Sequence, residues 1–301
     1  MNKTTSFLLI LASAFLIILI YVLSHINNFG PKDVLGLKTT TRITLLGDVM
    51  LGRSVMVTSM KQNDFDYPFK KVSSYLRGSD IVFANLESPF AEDCPQTNSG
   101  MIFCADPILA KGIINAGINV VTLANNHTGN YGKEGMVTTQ KVLTENAIEY
   151  TGEGNLVIKE VNGIKFGFLG FNLMYRSPDN LEKKMIAESD KLVDVLIVGV
   201  HWGDEYQPSA NNKQRAYARE LVGLGADIIA GHHPHWVQDM ETINGKKVYY
   251  SLGNFVFDQM WSEETRKGIA ITLEFDGSDI VSEKITNIYI NKLGQPEIVS
   301  R

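Results

Sequence analysis

Three of the chain's six histidines, His232, His233 and His235, fall within four consecutive positions. They follow GADIIA, a short apolar run typical of a buried strand, and Pro234 ends that strand because proline has no backbone N–H. Open α/β sheets carry ligand sites at such strand ends. Neutral imidazole is the commonest metal ligand, and a His-x-His pair offers two nitrogens to one ion. The cluster therefore predicts a metal site, and the simpler alternative is a histidine-rich surface loop.

Metal-ligating side chains also follow four earlier apolar runs. They are, in chain order, Asp48, Asn85 with Glu87, Asn126 with His127, and His201. If these strands are parallel, their carboxyl ends share one edge of a sheet and the side chains converge there. Carboxylate, amide and imidazole groups from five loops predict a dinuclear site with two metal ions about 3.5–4 Å apart and a bridging carboxylate. Taken singly, each residue has an ordinary alternative role as a turn former, a solvated carboxylate or a surface histidine.

The elements that position these residues alternate from residue 41 onward. Apolar runs predict strands at 43–48, 80–87, 118–127, 193–203, 226–233, 268–275 and 284–290. Helices are predicted at 67–77, 106–116, 134–146 and 212–224. Asn162-Gly163 and Asn244-Gly245 predict two β-hairpins. The order indicates one layered α/β domain with two sheets between helices.

The amino-terminal residues 7–23 carry no charge, and about 17 apolar residues suffice to span a bilayer. The small residues Ala12-Ser13-Ala14 lie inside this run, where they make no signal-peptide cleavage site. We therefore expect an uncleaved anchor at 1–24, a linker at 25–40 and a domain at 41–301. Lys3 precedes the run, which favours a single-pass protein of the cell membrane with its domain outside the cytoplasm.

The two cysteines, Cys94 and Cys104, bracket a stretch with proline and glycine that reads as a hairpin-like loop. Outside the cytoplasm such a pair predicts a disulfide that closes the loop. The net charge of −5, with no basic stripe, argues against a nucleic-acid partner. Hydrophobic content of 44% is ample for a globular core.

Six ordered motifs resemble those of the CapA-type capsule and poly-gamma-glutamate synthesis proteins, which belong to the calcineurin-like metallophosphatase-fold superfamily. The motifs are GDVMLGR (47–53), NLESP (85–89), LANNHTGNYG (123–132), HWGDEY (201–206), HPHWVQ (233–238) and SLGNFVFDQ (251–259). The resemblance implies an α/β fold: a layered α/β/β/α sandwich of the metallo-dependent phosphatase type, preceded by an N-terminal transmembrane helix.

The same resemblance implies a role for each matching residue. Two divalent ions of the Mn/Fe/Zn class would be held by Asp48, Glu87, Asn126, His201, His233 and His235. Glu87 is preferred to Asn85 as the bridge, because an anionic oxygen can join two cations. His127 would be a general acid or oxyanion stabiliser, and Arg53 would contact a phosphate or carboxylate. His232 falls outside the His-x-His pair, so its loss is expected to matter less.

One position departs from the superfamily's Asp-x-His motif. Met50 stands where the histidine would be, and a thioether is a poor ligand for these ions. One ion is therefore short of a ligand unless water or another side chain takes its place. Asp204 or Glu205 is expected to orient His201, and Trp202 and Trp236 are candidates for the pocket wall or for the core.

Two functions fit this pattern. The first is a metal-dependent hydrolase of the phosphoesterase type. The second is a non-catalytic component that binds metal or an anionic polymer, such as poly-gamma-glutamate, and works with membrane synthase or export subunits. Cleavage or transfer of an amide bond in the polymer is a weaker third hypothesis.

Overall fold

The computed structural model of the chain describes residues 40–299. The predicted anchor lies outside the described residues, as does all but the last residue of the predicted linker. Within the part that is described, no helix is long and apolar enough to cross a membrane. The residues from Thr41 onward form one compact unit.

The described residues contain fourteen strands and six α-helices. The strands are β1 Thr41–Val49, β2 Ile81–Leu86, β3 Val120–Thr122, β4 Glu149–Thr151, β5 Val157–Val161, β6 Ile164–Asn172, β7 Val195–His201, β8 Ile228–His232, β9 Met240–Ile243, β10 Lys246–Tyr249, β11 Asn254–Val256, β12 Lys267–Asp276, β13 Asp279–Ile290 and β14 Pro296–Val299. The helices are α1 Arg53–Gln62, α2 Ser73–Leu76, α3 Ala110–Ala116, α4 Gly132–Glu145, α5 Asn180–Ser189 and α6 Asn212–Gly223.

The strands form two sheets. The first has the order β14-β13-β12-β1-β2-β3-β4, with β11 also paired to β1, and the second has the order β5-β6-β7-β8-β10-β9. The strands that carry the predicted site residues are parallel to their neighbours β1/β2, β2/β3 and β7/β8. Both predicted hairpins are confirmed, because β5/β6 and β9/β10 are antiparallel and all four Asn-Gly residues have positive φ.

Three apolar layers hold the fold together. One lies between the first sheet and helices α1 to α4, a second between the two sheets, and a third between the second sheet and helices α5 and α6. In the middle layer, the rings of Phe83 and Phe168 approach to 5.4 Å between centroids from opposite sheets. The layer order is α/β/β/α, as predicted for the described domain.

The helices differ from prediction at three places. The helix expected at 67–77 is a 3₁₀ turn, Tyr67–Phe69, followed by the short α2, because Val72 and the serines after it are weak helix formers. Helices α1 and α5 were not predicted. The capping box of Asp179 and Glu182 at the start of α5 was a sequence signal for it.

The register of β1 sets the position of the first predicted ligand. Asp48 pairs with Asn85 of β2 on one side and with Asn254 of β11 on the other. A Cβ atom added at Gly47 would lie 1.9 Å from the carbonyl oxygen of Gly253. Only glycine therefore permits β11 to approach β1 this closely. Three polar side chains from separate parts of the chain lie in one row as a result.

Candidate metal centre

Asp48, Glu87 and His201 form what we call the first ligand group. Asp48 belongs to β1, Glu87 follows β2 and His201 ends β7, so the group draws on both sheets. Each residue offers one ligand atom, and the three atoms lie within 4.8 Å of one another. All three side chains are buried. The three side chains therefore meet, although they come from two sheets and not from one edge of a single sheet.

Glu205, His233 and His235 form the second ligand group, with ligand atoms that also lie within 4.8 Å of one another. Glu205 lies in the loop after β7, and the two histidines lie in the loop after β8. The groups meet where Nδ1 of His235 lies 3.2 Å from Oδ2 of Asp48. Two sets of three ligands therefore adjoin at one edge of the sandwich.

Asn85 lies between the acidic ligands. Its Nδ2 donates to Oδ1 of Asp48 at 2.9 Å and to Oε1 of Glu87 at 3.0 Å. Its Oδ1 accepts a hydrogen bond from Asn125 at 3.1 Å. The Asn85 amide therefore holds the two carboxylates at a fixed spacing. Since both ends of this amide are occupied, Glu87 and not Asn85 is available as the oxygen ligand.

The hydrogen bonds of His235 determine which nitrogen can bind a metal. Asn254 donates its Nδ2 to the backbone oxygen of Thr265, so its Oδ1 faces Nδ1 of His235 at 2.9 Å. An amide oxygen only accepts, so Nδ1 carries the proton and Nε2 keeps its lone pair. Metal-binding histidines are oriented in this way by a hydrogen bond to the other nitrogen.

Asn126 connects two of the predicted site histidines. Its Oδ1 lies 2.9 Å from Nε2 of His201, and its Nδ2 lies 3.2 Å from Nε2 of His127. With its Nε2 proton donated to Asn126, His201 turns a Nδ1 lone pair toward Glu87, 3.7 Å from Oε1. Asn126 is exposed at the surface of the site, whereas the ligands beneath it are buried.

The pKa values of the two buried acids are shifted in opposite directions. Burial raises the pKa of Glu87 well above its ordinary value, and the neighbouring charge of Asp48 adds to the increase. It also opposes ionisation of Asp48, but the adjacent imidazoles of His232 and His235 outweigh that penalty and lower the pKa of Asp48 well below its usual range. Asp48 is therefore the anionic member of the pair in the metal-free protein.

Three of the site imidazoles are held neutral. Burial lowers the pKa of His233 to about 4, with a further contribution from His235. Burial also lowers the pKa of His201 and His127. A neutral imidazole is the form that binds metal, so these side chains need not lose a proton first.

The residues present fit divalent metal ions. Oε2 of Glu87 is buried and has no hydrogen-bond partner among the described residues, which is costly for a carboxylate unless a cation compensates. The ligand set of carboxylate oxygens and imidazole nitrogens suits ions of the Mn/Fe/Zn class. Two adjacent groups of three ligands leave coordination positions for water or substrate.

The family model for the bacterial capsule synthesis protein PGA_cap matches residues 42–259. The chain belongs to this family. It is 34% identical over 249 residues to a capsule biosynthesis protein CapA of Bacillus anthracis, covering 73% of this chain and 60% of the relative. It is 32% identical over 243 residues to a PGA biosynthesis protein CapA of Bacillus subtilis strain 168, covering 73% of this chain and 64% of that protein.

The chain thus spans less than two thirds of the length of these two relatives. Its fold is similar to the crystal structure of a novel phosphatase from Mycoplasma pneumoniae. The TM-score is 0.54 at 16% identity, and the similarity covers 84% of this chain and 95% of that one. This PGA_cap protein therefore shares the fold of that phosphatase.

Met50, which stands where the resemblance predicts a histidine, takes no part in the ligand groups. Its side chain is fully buried and packs with Phe103, Phe257 and Ile290. Its sulfur accepts the backbone N–H of Gly52 at 3.0 Å. Met50 therefore belongs to the apolar floor beneath the site, and the position that a histidine ligand would occupy is closed by packing.

Glu205 is the candidate ligand that sequence reasoning did not assign. Asp204 and Glu205 were both candidates to orient His201, but each has other partners. Glu205 groups with His233 and His235, and Asp204 accepts a hydrogen bond from Asn211 at 2.8 Å. The motif HWGDEY holds both acids side by side, so its residue types alone do not distinguish them.

The two tryptophans that were candidates for the pocket wall or the core, Trp202 and Trp236, differ in position. Trp202 is in the core, stacked on Tyr250 and donating its Nε1 to the backbone oxygen of that residue at 2.9 Å. Trp236 lies at the rim, with its ring 6.3 Å from that of Tyr206. Only Trp236 is therefore placed to border the site.

Non-glycine residues with left-handed backbone concentrate around the site. Of the eight described residues with this geometry, four are Arg53, Tyr206, His233 and His235. A left-handed conformation costs on the order of 1 kcal/mol or more for such side chains. The backbone is therefore held in unfavourable conformations where the ligands must converge.

Arg53 is buried beside the site and is already paired. Its guanidinium forms a salt bridge with Asp258 and donates to the backbone oxygen of Gly100 at 2.9 Å. It also lies 4.7 Å from the centre of the Phe103 ring. In this structure Arg53 therefore joins two loops, and any contact with substrate requires part of this network to open.

Proposed function

We propose that this PGA_cap protein is a metal-dependent hydrolase of phosphoester bonds that acts in capsule or poly-gamma-glutamate biosynthesis. The observation that carries the proposal is the pair of adjoining ligand groups, joined where His235 lies 3.2 Å from Asp48. Two divalent ions bound there supply Lewis acidity and positive charge beside a scissile phosphoester.

His127 is the residue of this chain best placed to move a proton. Its Nδ1 faces Oδ1 of Asn130 at 3.0 Å, and its Nε2 lies 3.2 Å from Nδ2 of Asn126. Since Asn126 also contacts His201, His127 stands immediately beside the first ligand group. Nε2 accepts a proton in the neutral ring and donates one to a leaving oxygen after protonation.

Glu205 supplies a third side-chain ligand in place of the histidine expected at the position of Met50. The second ligand group already has two imidazoles, and the Glu205 carboxylate brings it to three side-chain ligands. Three protein ligands with an open position are the usual arrangement at catalytic zinc sites. The substitution at Met50 is therefore compatible with two loaded sites in this chain.

The proposed location is the outer face of the cell membrane. Residues 7–23 would form a single transmembrane anchor, with the domain outside the cytoplasm. The Cys94–Cys104 disulfide, predicted from sequence and present in the structure, supports an oxidising compartment. The proposed partners are poly-gamma-glutamate or another anionic polymer and the membrane synthase or export subunits that make it.

A second candidate function is a non-catalytic component that binds metal or polymer. The observation that favours it is the buried position of Met50, which removes the superfamily's histidine ligand. Both Bacillus relatives are named for biosynthesis. In this case the metal would organise a binding surface.

Metal analysis and turnover of bis(p-nitrophenyl) phosphate by the full-length chain in detergent distinguish the two functions. We expect about two metal equivalents per chain and turnover that a chelator abolishes. His233→Ala should remove metal and turnover together. Full metal occupancy with no turnover of this or other phosphoesters, and normal polymer production in cells carrying His127→Ala, would leave the non-catalytic function.

A further inference from the structure

The disulfide-closed segment Cys94–Cys104, which we call the stapled loop, reaches into the candidate site. Phe103, next to Cys104, is buried and stacks on the His127 ring with centroids 3.9 Å apart and an interplanar angle of 24°. The contact joins a loop that carries no predicted ligand to the proposed proton-transfer residue. Aromatic stacking of this kind restricts the orientation of both rings.

Asn130 forms a second link between Phe103 and His127. Its Oδ1 accepts the backbone N–H of Phe103 at 2.7 Å and lies 3.0 Å from Nδ1 of His127. A backbone N–H can only donate, so the Asn130 atom that faces it is the oxygen. The Nδ1 atom of His127 must then carry the proton, which leaves the lone pair on Nε2.

The stapled loop is itself fixed to the rest of the domain. Arg53 donates to the Gly100 oxygen at 2.9 Å and pairs with Asp258, beyond β11. A Cβ atom added at Gly52 would lie 2.2 Å from the Cys104 oxygen, so the loop lies directly against the start of α1. The disulfide closes the loop beside both contacts.

We propose that the stapled loop is a positioning element for His127, acting through the ring of Phe103 and the shared acceptor Asn130. The loop holds the imidazole in one orientation, with its proton on Nδ1 and Nε2 turned toward Asn126 and the ligand groups. The disulfide therefore contributes to the geometry of proton transfer as well as to stability. The effect on turnover rests on the proposed hydrolase function, whereas the effect on the histidine ring does not.

The test uses the full-length chain in its zinc-loaded form and five variants. Phe103→Leu removes the aromatic face and keeps an apolar side chain, Cys94→Ser/Cys104→Ser opens the loop, and Asn130→Ala removes the shared acceptor. Asn130→Asp keeps that acceptor and serves as the conservative rescue. Met101→Ser is the matched control, because Met101 is 60% exposed at the tip of the same loop.

Long-range ¹H–¹⁵N NMR of the His127 ring is the direct measurement. We expect a single tautomer with the proton on Nδ1 in the wild type, Asn130→Asp and Met101→Ser. Averaged tautomers or two ring states are expected in Phe103→Leu, Asn130→Ala and the serine double variant. Where phosphoester turnover is measurable, kcat should fall by about 10-fold or more in those three proteins, with KM and zinc content unchanged.

Two results would overturn the proposal: an unchanged His127 tautomer in all three variants, or an equal fall of kcat in Met101→Ser. Zinc content checks that each variant has assembled its ligand groups. If the wild type turns over no phosphoester, the hydrolase proposal fails while the NMR comparison still decides the role of the loop.

Discussion

His232 and Asp48 lie against each other in the buried floor of the site, with Nδ1 of His232 3.3 Å from Oδ1 of Asp48. His235 occupies the other oxygen of the same carboxylate at 3.2 Å. The carboxylate is therefore held between two imidazoles, one from the His-x-His pair and one outside it. His232 therefore supports the ligand Asp48 and is not itself a ligand.

For His232, substitution should weaken metal binding without abolishing it. His232→Phe keeps the ring volume in a fully buried place and removes the contact with Asp48, so we expect metal affinity to fall by about 10-fold, the usual lower effect of losing a ligand's supporting partner. His233→Phe should abolish binding at the second ligand group. Competition titration with a fluorescent chelator measures both, and equal losses would contradict a supporting role for His232.

Glu87→Gln should stabilise the metal-free protein and remove its response to metal. Burial and the charge of Asp48 raise the folded-state pKa of Glu87, so at pH 7 the fold disfavours the ionised form that the unfolded chain prefers. The neutral amide removes this cost and should increase the free energy of unfolding. Denaturant unfolding with a chelator and with zinc measures the two effects.

Asp48→Asn is the control for Glu87→Gln, since the pKa of Asp48 is lowered and its charge is satisfied by two imidazoles. It should destabilise the metal-free protein at pH 7. The same sign of change in both variants would show that the two carboxylates are not in opposite electrostatic environments.

Glu205 and Asp204 are adjacent acids with different expected effects. Glu205→Gln removes a ligand of the second group and should reduce bound metal from about two equivalents to about one. Asp204→Asn keeps a side chain able to bond Asn211 and should leave metal content unchanged. Mass spectrometry that counts bound metal ions tests both variants. Two bound metal equivalents in Glu205→Gln would show that Glu205 is not a required ligand.

Acid should destabilise the metal-free protein through His233. Its folded-state pKa of about 4 is below the ordinary unfolded value of about 6.5. Between these pH values the unfolded state binds the extra proton, so the free energy of unfolding falls as the pH is lowered. The full contribution is on the order of 3 kcal/mol. Urea unfolding from pH 7 to pH 4 should show a shallower slope for His233→Gln than for the wild type.

Introducing a histidine at Met50 should not add a ligand. The side chain is enclosed by Phe103, Phe257 and Ile290, so Met50→His would bury a polar ring at a cost of about 1–3 kcal/mol. Met50→Leu, which is close in volume, should cost less than about 1.5 kcal/mol. Thermal unfolding and metal counting check both variants, and an extra metal equivalent in Met50→His would refute this expectation.

Much of the fold was predictable because its signals are local. Apolar runs marked the main strands, and Asn162-Gly163 and Asn244-Gly245 marked the two hairpins. Asp106 and Pro107 correctly placed the start of the helical segment that ends at Ala116. Parallel strand ends also brought Asp48 and Glu87 to one edge of the first sheet, because that convergence follows from sheet topology. His201 joins them from the second sheet.

The missed features depend on contacts between distant segments. The stacking of Phe103 on His127 needs the path of the stapled loop through space, which no periodicity reveals. The choice of Glu205 over Asp204 depends on the turn between Gly203, with φ 85°, and Tyr206, with φ 59°. Side-chain direction in such a turn is set by tertiary packing, so the motif alone could not assign the ligand.

The ligand groups differ in which sheets supply them, and this has a consequence for folding. Asp48 and Glu87 come from the first sheet and His201 from the second, whereas the second group, including Glu205, comes from loops of the second sheet alone. A metal ion bound by the first group would link the two sheets, and its binding free energy would stabilise their packing against each other. During refolding, the second ligand group can form once the second sheet has folded, whereas the first ligand group requires both sheets. The order in which the two metal ions bind would therefore report the order in which the sheets fold and pack.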